Sequence, residues 1–127
     1  MPDKPRTMLV VLSDIAPELE SDFLRWYDEE HIPQRLAVPG FRRAARFQAG
    51  PPPVSGSGLE VESPPRHLAV YEMDSVEVLE SEPYRRLIAN PTEWTRRIRS
   101  TFSLRLRHPY VEQFGLTDDD PRVDRFR

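Results

Sequence analysis

The stretch Phe23-Leu24-Arg25-Trp26-Tyr27-Asp28-Glu29-Glu30-His31-Ile32-Pro33 decides how this chain folds. With Leu19 ahead of it, the apolar residues Leu19, Phe23, Trp26 and Tyr27 fall at spacings of 4, 3 and 1. That spacing lays one stripe along a helix and leaves Asp22, Arg25 and Glu29 mostly off it. Pro17 suits a first helical turn, where Glu18 and Glu20 face the positive end of the helix dipole. Pro33 ends or bends the helix, and Pro39-Gly40 turns the chain.

Upstream, Thr7 to Ser13 is apolar on both alternating faces, which suits a strand in the middle of a covered sheet. Downstream, Phe41 to Gln48 reads as a second strand, with Phe41, Arg43, Ala45 and Phe47 opposite Arg42, Ala44, Arg46 and Gln48. Residues 49–65 hold Pro51-Pro52-Pro53 and Gly56-Ser57-Gly58 and read as a mobile loop. Arg66 to Asp74 is a third strand, with His67, Ala69, Tyr71 and Met73 on one face and Leu68 and Val70 on the other. Asp74 and Glu77 form a capping-box-like start to a second helical stripe of Val76, Leu79, Tyr84, Leu87 and Ile88. Pro83 breaks that run unless it opens a further helix. Thr92 to Arg99 is a short basic helix holding Trp94 and Ile98. Thr101 to Arg107 is a fourth strand, extended from His108 to Phe114 with a bend expected at Pro109. Residues 116–127 show no apolar period and read as a flexible tail.

The order β-α-β-loop-β-α-β places two helices on one face of a four-stranded antiparallel sheet, the ferredoxin-like α+β plan, in a single domain over residues 1–115. The second face then lacks cover. Strand parity assigns His67, Ala69, Tyr71 and Met73 to it, with Arg42, Arg46, Arg105 and Arg107. Phe41, Phe47, Phe102, Leu104 and Leu106 take the helix side. An apolar sheet face favours burial at about 25 cal/mol per Å². A homodimer packed sheet to sheet satisfies it, with residues 110–114 available to cross to the partner.

The chain has 127 residues and no cysteine, so disulfide, zinc-thiolate and cysteine-nucleophile chemistry is excluded. Eighteen basic against 21 acidic side chains give a net charge of −3, which argues against a nucleic-acid partner. All basic residues but Lys4 are arginines. No apolar run reaches the roughly 20 residues of a membrane helix, and the first seven residues show no secretion signal. A cytoplasmic location is the expectation. Asp118-Asp119-Asp120 lacks calcium-loop spacing, and no phosphate-cradling loop or serine triad is present.

The segment from Phe23 to Pro33, with Arg35-Leu36 and Val38-Pro39-Gly40-Phe41, resembles the first helix and second strand of the dimeric α+β barrel superfamily. It is most similar to the EthD-like branch, named for ethyl tert-butyl ether degradation. The resemblance implies a sheet-to-sheet dimer enclosing a barrel or paired clefts. Relatives include cofactor-free cyclases, isomerases, dehydratases and monooxygenases acting on small aromatic or polyketide-like molecules, and others without known activity. The branch's helix-terminal His maps onto His31.

His31 lies 4 residues after Tyr27, on the flank of the apolar stripe. Its imidazole titrates near neutrality and could take a proton from an acidic C–H or a phenol, with Glu30 or Asp28 as orienter. The competing reading is a helix-terminal His that favours the negative dipole end. His67 and Tyr71 share a strand face, about 13 Å apart, and would line a pocket for an aromatic ligand with Tyr27. Arg46 and Arg105 would hold an anionic group by bidentate contacts, or else pair with carboxylates.

These observations point to a cofactor-free, metal-free enzyme of the cyclase, isomerase or lyase type. Its ligand would be a small aromatic or polyketide-like acid. His31 is the catalytic candidate, and Tyr27, Arg46, His67, Tyr71 and Arg105 are the binding candidates. The alternatives are a non-catalytic binding or structural dimer and a cofactor-free monooxygenase.

Overall fold

The computed structural model describes residues 4–51 and 64–127. Most of the Pro/Gly/Ser-rich loop, residues 52–63, lies outside the described residues. Four strands, β1 (Thr7–Ile15), β2 (Phe41–Gln48), β3 (His67–Met73) and β4 (Phe102–Val111), form one antiparallel sheet in the order β2-β3-β1-β4. The helices α1 (Glu20–Trp26), α2 (Ile32–Leu36), α3 (Glu82–Ala89) and α4 (Glu93–Arg99) belong to the two crossovers. This is the ferredoxin-like α+β plan that the element order implied.

The first crossover runs helical to Leu36. Between α1 and α2, residues Tyr27–His31 form a π turn, closed by the Ile32 N–H donating to the Tyr27 carbonyl. Pro33 supplies the cause. It has no N–H to give, and its ring would strike the carbonyl four residues back, so the helix widens ahead of it rather than stopping. At Gly40 the chain turns with φ +101°, and the Gly40 carbonyl accepts the Asp74 N–H at 2.8 Å.

In the second crossover, a 3-10 turn over Val76–Glu80 takes the place of the expected capped helix. Ser81 then caps α3 by accepting the Tyr84 N–H, with Pro83 in the first turn. Thr92 caps α4 in the same way through Thr95 N–H, at 3.0 Å.

The sheet is covered on the opposite parity from that expected. Thr7, Leu9, Val11 and Ser13 of β1 and His67, Ala69, Tyr71 and Met73 of β3 are buried beneath the helices. Leu68 and Val70 face the open side, with Met8, Val10 and Leu12. β3 is apolar on both faces, so alternation alone could not tell which one is covered. Aromatic packing decides it: Tyr71 meets Phe41 edge-on at 6.3 Å and His31 at 5.9 Å.

Two bulges shift the other strands. One between Phe41 and Arg43 brings Ala44 opposite Tyr71 and Arg46 opposite Ala69, on the helix side, and leaves Phe47 half-exposed on the open side. The other, where Leu12 and Ser13 face Leu106 and Leu104, leaves Arg105 as the extra residue. Phe102 and Leu104 therefore lie on the helix side as expected. Arg107 lies there too, against expectation, while Leu106 moves to the open side.

Pro109 causes no break. It sits opposite Leu9 in an edge strand, where a missing N–H is tolerated. Beyond β4, the segment read as a structureless tail contains one short helix, α5 (Pro121–Asp124), capped by Asp120.

Candidate functional site

A cavity of about 380 Å³ lies between the helix layer and the sheet. Its floor is Leu9, Val11 and Tyr71 from β1 and β3. Its walls are Trp26, Tyr27, His31 and Arg35 from the first crossover and Tyr84, Thr95 and Arg99 from the second. Phe102, Leu104 and Arg107 of β4 complete it. The volume falls within the range of small-molecule sites.

The π turn places His31 in this wall. Its imidazole is stacked on the Trp26 indole, with centroids 4.3 Å apart and planes 24° from parallel. Tyr27 and Tyr71 present their edges to it at 5.1 and 5.9 Å. Burial among these rings, and then the positive charges of Arg35, Arg99 and Arg107, push its pKa down to about 3. His31 is therefore neutral near pH 7 and able to accept a proton.

Trp26 is held in turn. Its indole N–H donates to the Thr95 hydroxyl at 3.0 Å, which donates to Glu30 at 3.0 Å; the Thr92 hydroxyl donates to the same Glu30 oxygen at 2.7 Å. Glu30, adjacent to His31, thus ties the π turn to α4 rather than orienting the imidazole directly. Asp28 turns outward and receives a two-pronged bond from Arg46, at 2.6 and 2.8 Å.

Three arginines meet at the cavity. Arg35 stands one helical turn after His31, its guanidinium over the Tyr84 ring at 5.6 Å. Burial lowers its pKa, and Arg107 and Arg99 add to that. Arg107 donates to the Tyr84 hydroxyl. Among the described residues, Arg35, Arg99 and Arg107 make no carboxylate pair, whereas most other arginines do. Arg35 is half-buried and Arg99 and Arg107 are exposed to solvent, and together they make this part of the cavity wall electropositive. The Tyr71 hydroxyl, fully buried, makes no full hydrogen bond among the described residues, with only the Tyr27 hydroxyl near it, and burial raises its pKa well above the usual phenol range.

Of the residues singled out in the sequence, Tyr27, His31 and Tyr71 come together here. Arg46, His67 and Arg105 lie elsewhere. Arg46 is engaged by Asp28, and Arg105 faces Asp14 at 3.5 Å. His67 packs on Phe23, with Nε2 at 3.7 Å from Glu20 at the start of α1.

The cavity residues that the sequence reading did not single out are Arg35, Arg99, Tyr84 and Thr95. Arg35 had a signal, since the i, i+4 spacing from His31 places both on one helical face. Arg107 had none, because its orientation follows from the bulge at Arg105. Among the described residues, no group of three or more His, Asp or Glu side chains could hold a metal ion, and no helix is long and apolar enough to cross a membrane.

Fold and cavity together define a ferredoxin-like α+β chain with a cavity between its helices and its sheet, and solved structures agree on the fold. A protein named as an antibiotic biosynthesis monooxygenase, from Bordetella bronchiseptica, superimposes with a TM-score of 0.59 at 17% identity, covering 89% of this chain and 100% of the other. HapK from Hahella chejuensis gives 0.57 at 11% identity, covering 87% and 95%. A dimeric ferredoxin-like protein from an uncultured marine organism gives 0.53 at 15%, covering 91% and 93%. No family model and no curated protein matches the chain. The fold implied by the helix-His-Pro-Gly resemblance is thus the fold of this protein.

Proposed function

We propose that this chain is an enzyme that binds a small aromatic acid in the cavity and exchanges a proton between that ligand and His31 without a cofactor. The observation that supports it is the meeting of a neutral, half-buried His31 with Arg35, Arg99 and Arg107 on one aromatic chamber. In the empty cavity burial first, and then the positive charge of the arginines, hold the imidazole a weak base. An anion placed among them cancels their field, so His31 becomes more basic when the ligand arrives. The ring then takes a proton from an acidic C–H or a phenol, and the arginines stabilise the enolate or phenolate left behind. Returning the proton to another carbon completes an isomerisation. Attack of the carbanion on a carbonyl of the same molecule closes a ring.

A second reading uses the same deprotonation. The carbanion of an aryl-activated CH2 reacts with dioxygen, and loss of water leaves the ketone, so that CH2 and O2 become C=O and H2O. The name of the Bordetella bronchiseptica protein favours it. Incubation of candidate aromatic acids in D2O separates the readings. Proton transfer predicts deuterium entry at the acidic carbon, lost in His31→Ala; oxygenation predicts dioxygen uptake in addition. Absence of both for ligands that bind would leave a binding protein.

We infer further that two copies pair across the open sheet face. Met8, Val10, Ala45, Phe47, Leu68 and Val70 form an apolar surface there, bordered by Arg6, Arg43 and Glu72. This is the homodimer expected from the sequence, built on Leu68 and Val70 rather than on Tyr71 and Met73. One structural relative is described as dimeric.

A further inference from the structure

The polar groups of the cavity are sorted by charge. One set is cationic: half-buried Arg35 and the exposed Arg99 and Arg107, none paired with a carboxylate among the described residues. Tyr84 occupies the flat face of the Arg35 guanidinium, at 5.6 Å, and its hydroxyl accepts from Arg107. The N–H edge of Arg35 is left for something else. The other set is neutral: His31, and Tyr71, whose ring meets the imidazole edge-on and whose buried hydroxyl has only the Tyr27 hydroxyl near it and no full hydrogen bond among the described residues. His31 and Arg35 stand one helical turn apart, about 5–6 Å between their Cβ atoms. The rest of the lining is aromatic and aliphatic, with Leu9, Val11, Trp26 and Phe102 among it.

Resting on the reading of this cavity as a ligand site, we propose that it recognises a hydroxyaryl carboxylate at two separate ends, the carboxylate at Arg35 and its arginine neighbours and the ring hydroxyl at Tyr71 and His31. A carboxylate suits the guanidinium fork, which binds it by two parallel N–H···O bonds. A neutral hydroxyl suits Tyr71 and His31, because each can donate or accept and neither carries charge near pH 7. A buried phenol left without a partner disfavours the empty site and any ligand that cannot reach it. The ring between the two groups lies against the apolar lining of Leu9, Val11 and Phe102. The arrangement also orients the ligand, since the hydroxyl-bearing carbon is the one presented to His31.

Calorimetric titration of the full chain with 6-hydroxy-2-naphthoate, which carries its two groups at opposite ends of the ring system, and with 2-naphthoate and 2-naphthol tests this. The hydroxy acid is expected to bind tightest, with loss of the carboxylate weakening binding about tenfold or more and loss of the hydroxyl weakening it about fivefold. Arg35→Met is expected to abolish the preference for the acid over 2-naphthol while keeping the preference for the hydroxyl. Tyr71→Phe is expected to do the reverse. Arg35→Lys keeps the charge and separates loss of the fork from loss of folding, and each variant is first checked by its melting curve. If 2-naphthol binds as tightly as the acid, or if Arg35→Met leaves the acid preference intact, two-ended recognition is overturned while the cavity remains a ligand site. If none of the three probes binds the folded wild-type chain, both the inference and the ligand-site reading beneath it fall.

Discussion

The imidazole of His31 lies flat against the indole of Trp26, 4.3 Å between centroids. The indole is pinned by its N–H to Thr95, and Thr95 by its own hydroxyl to Glu30. The chain Glu30–Thr95–Trp26–His31 therefore carries the position of α4 to the imidazole. Thr95→Val removes the acceptor and leaves a buried N–H unpaired, a cost of about 1–3 kcal/mol. Urea unfolding is expected to show that loss. Thr95→Ser keeps the hydroxyl and is expected to recover most of it. An equal loss in both variants would mean that the methyl packing of Thr95 matters and the hydrogen bond does not.

Acid destabilises this fold through His31 before the carboxylates take over. The unfolded chain protonates His31 near 6.5, the folded chain only near 3. In between, the unfolded state holds the extra proton, so stability falls as pH drops, by at most about 1.4 kcal/mol per pH unit from this group. His67, also lowered by burial, acts in the same direction. Glu20, Asp28 and Asp74 are held low by arginine partners, so their stabilising contributions are lost at lower pH still. Between pH 7.5 and 5, the wild type is expected to lose about 2 kcal/mol more than His31→Gln in urea midpoints. Equal losses would show that His31 titrates normally in the fold.

The sequence carried the element order because punctuation separated the elements. Pro17, Pro39-Gly40 and Asn90-Pro91 fall between them, and β2 runs over Phe41–Gln48 as read. The direction of the faces was hidden. Tyr71 and Val70 are both apolar neighbours, and only Phe41 and His31, distant in sequence, decide which of them is covered. Bulges at Arg42 and Arg105 move every later residue of their strands across the sheet, and neither Gly nor Pro marks them. For that reason Arg107 enters the cavity and Arg105 meets Asp14. His31 was legible from its helix; the arginines around it depended on register.

Gly40 is required twice over. Its φ of +101° suits glycine alone, and a Cβ there would stand 2.6 Å from Val78 Cγ2. Gly40→Ala is expected to lower stability by about 2 kcal/mol or more. Pairing it with Val78→Ala relieves the contact but not the backbone strain, so the double variant is expected to regain only part of the loss beyond the cost of Val78→Ala alone. Full recovery in thermal melts would place the whole penalty on the contact.

The open sheet face gives the remaining test. Val70 lies near its middle, half-buried in the single chain and flanked by Phe47, Met8 and Leu68. An aspartate there would place a charge in the centre of an apolar contact between two copies, at a cost of several kcal/mol. Wild-type chain is expected to sediment at twice its 14.8 kDa mass and Val70→Asp at the single-chain mass. A dimer that survives Val70→Asp would put the interface elsewhere. The cavity proposed to hold the ligand lies across the sheet, against the helices, so a folded monomeric variant is expected to bind naphthoate probes as the wild type does. Loss of binding in a well-folded monomer would instead show that the second copy completes the site.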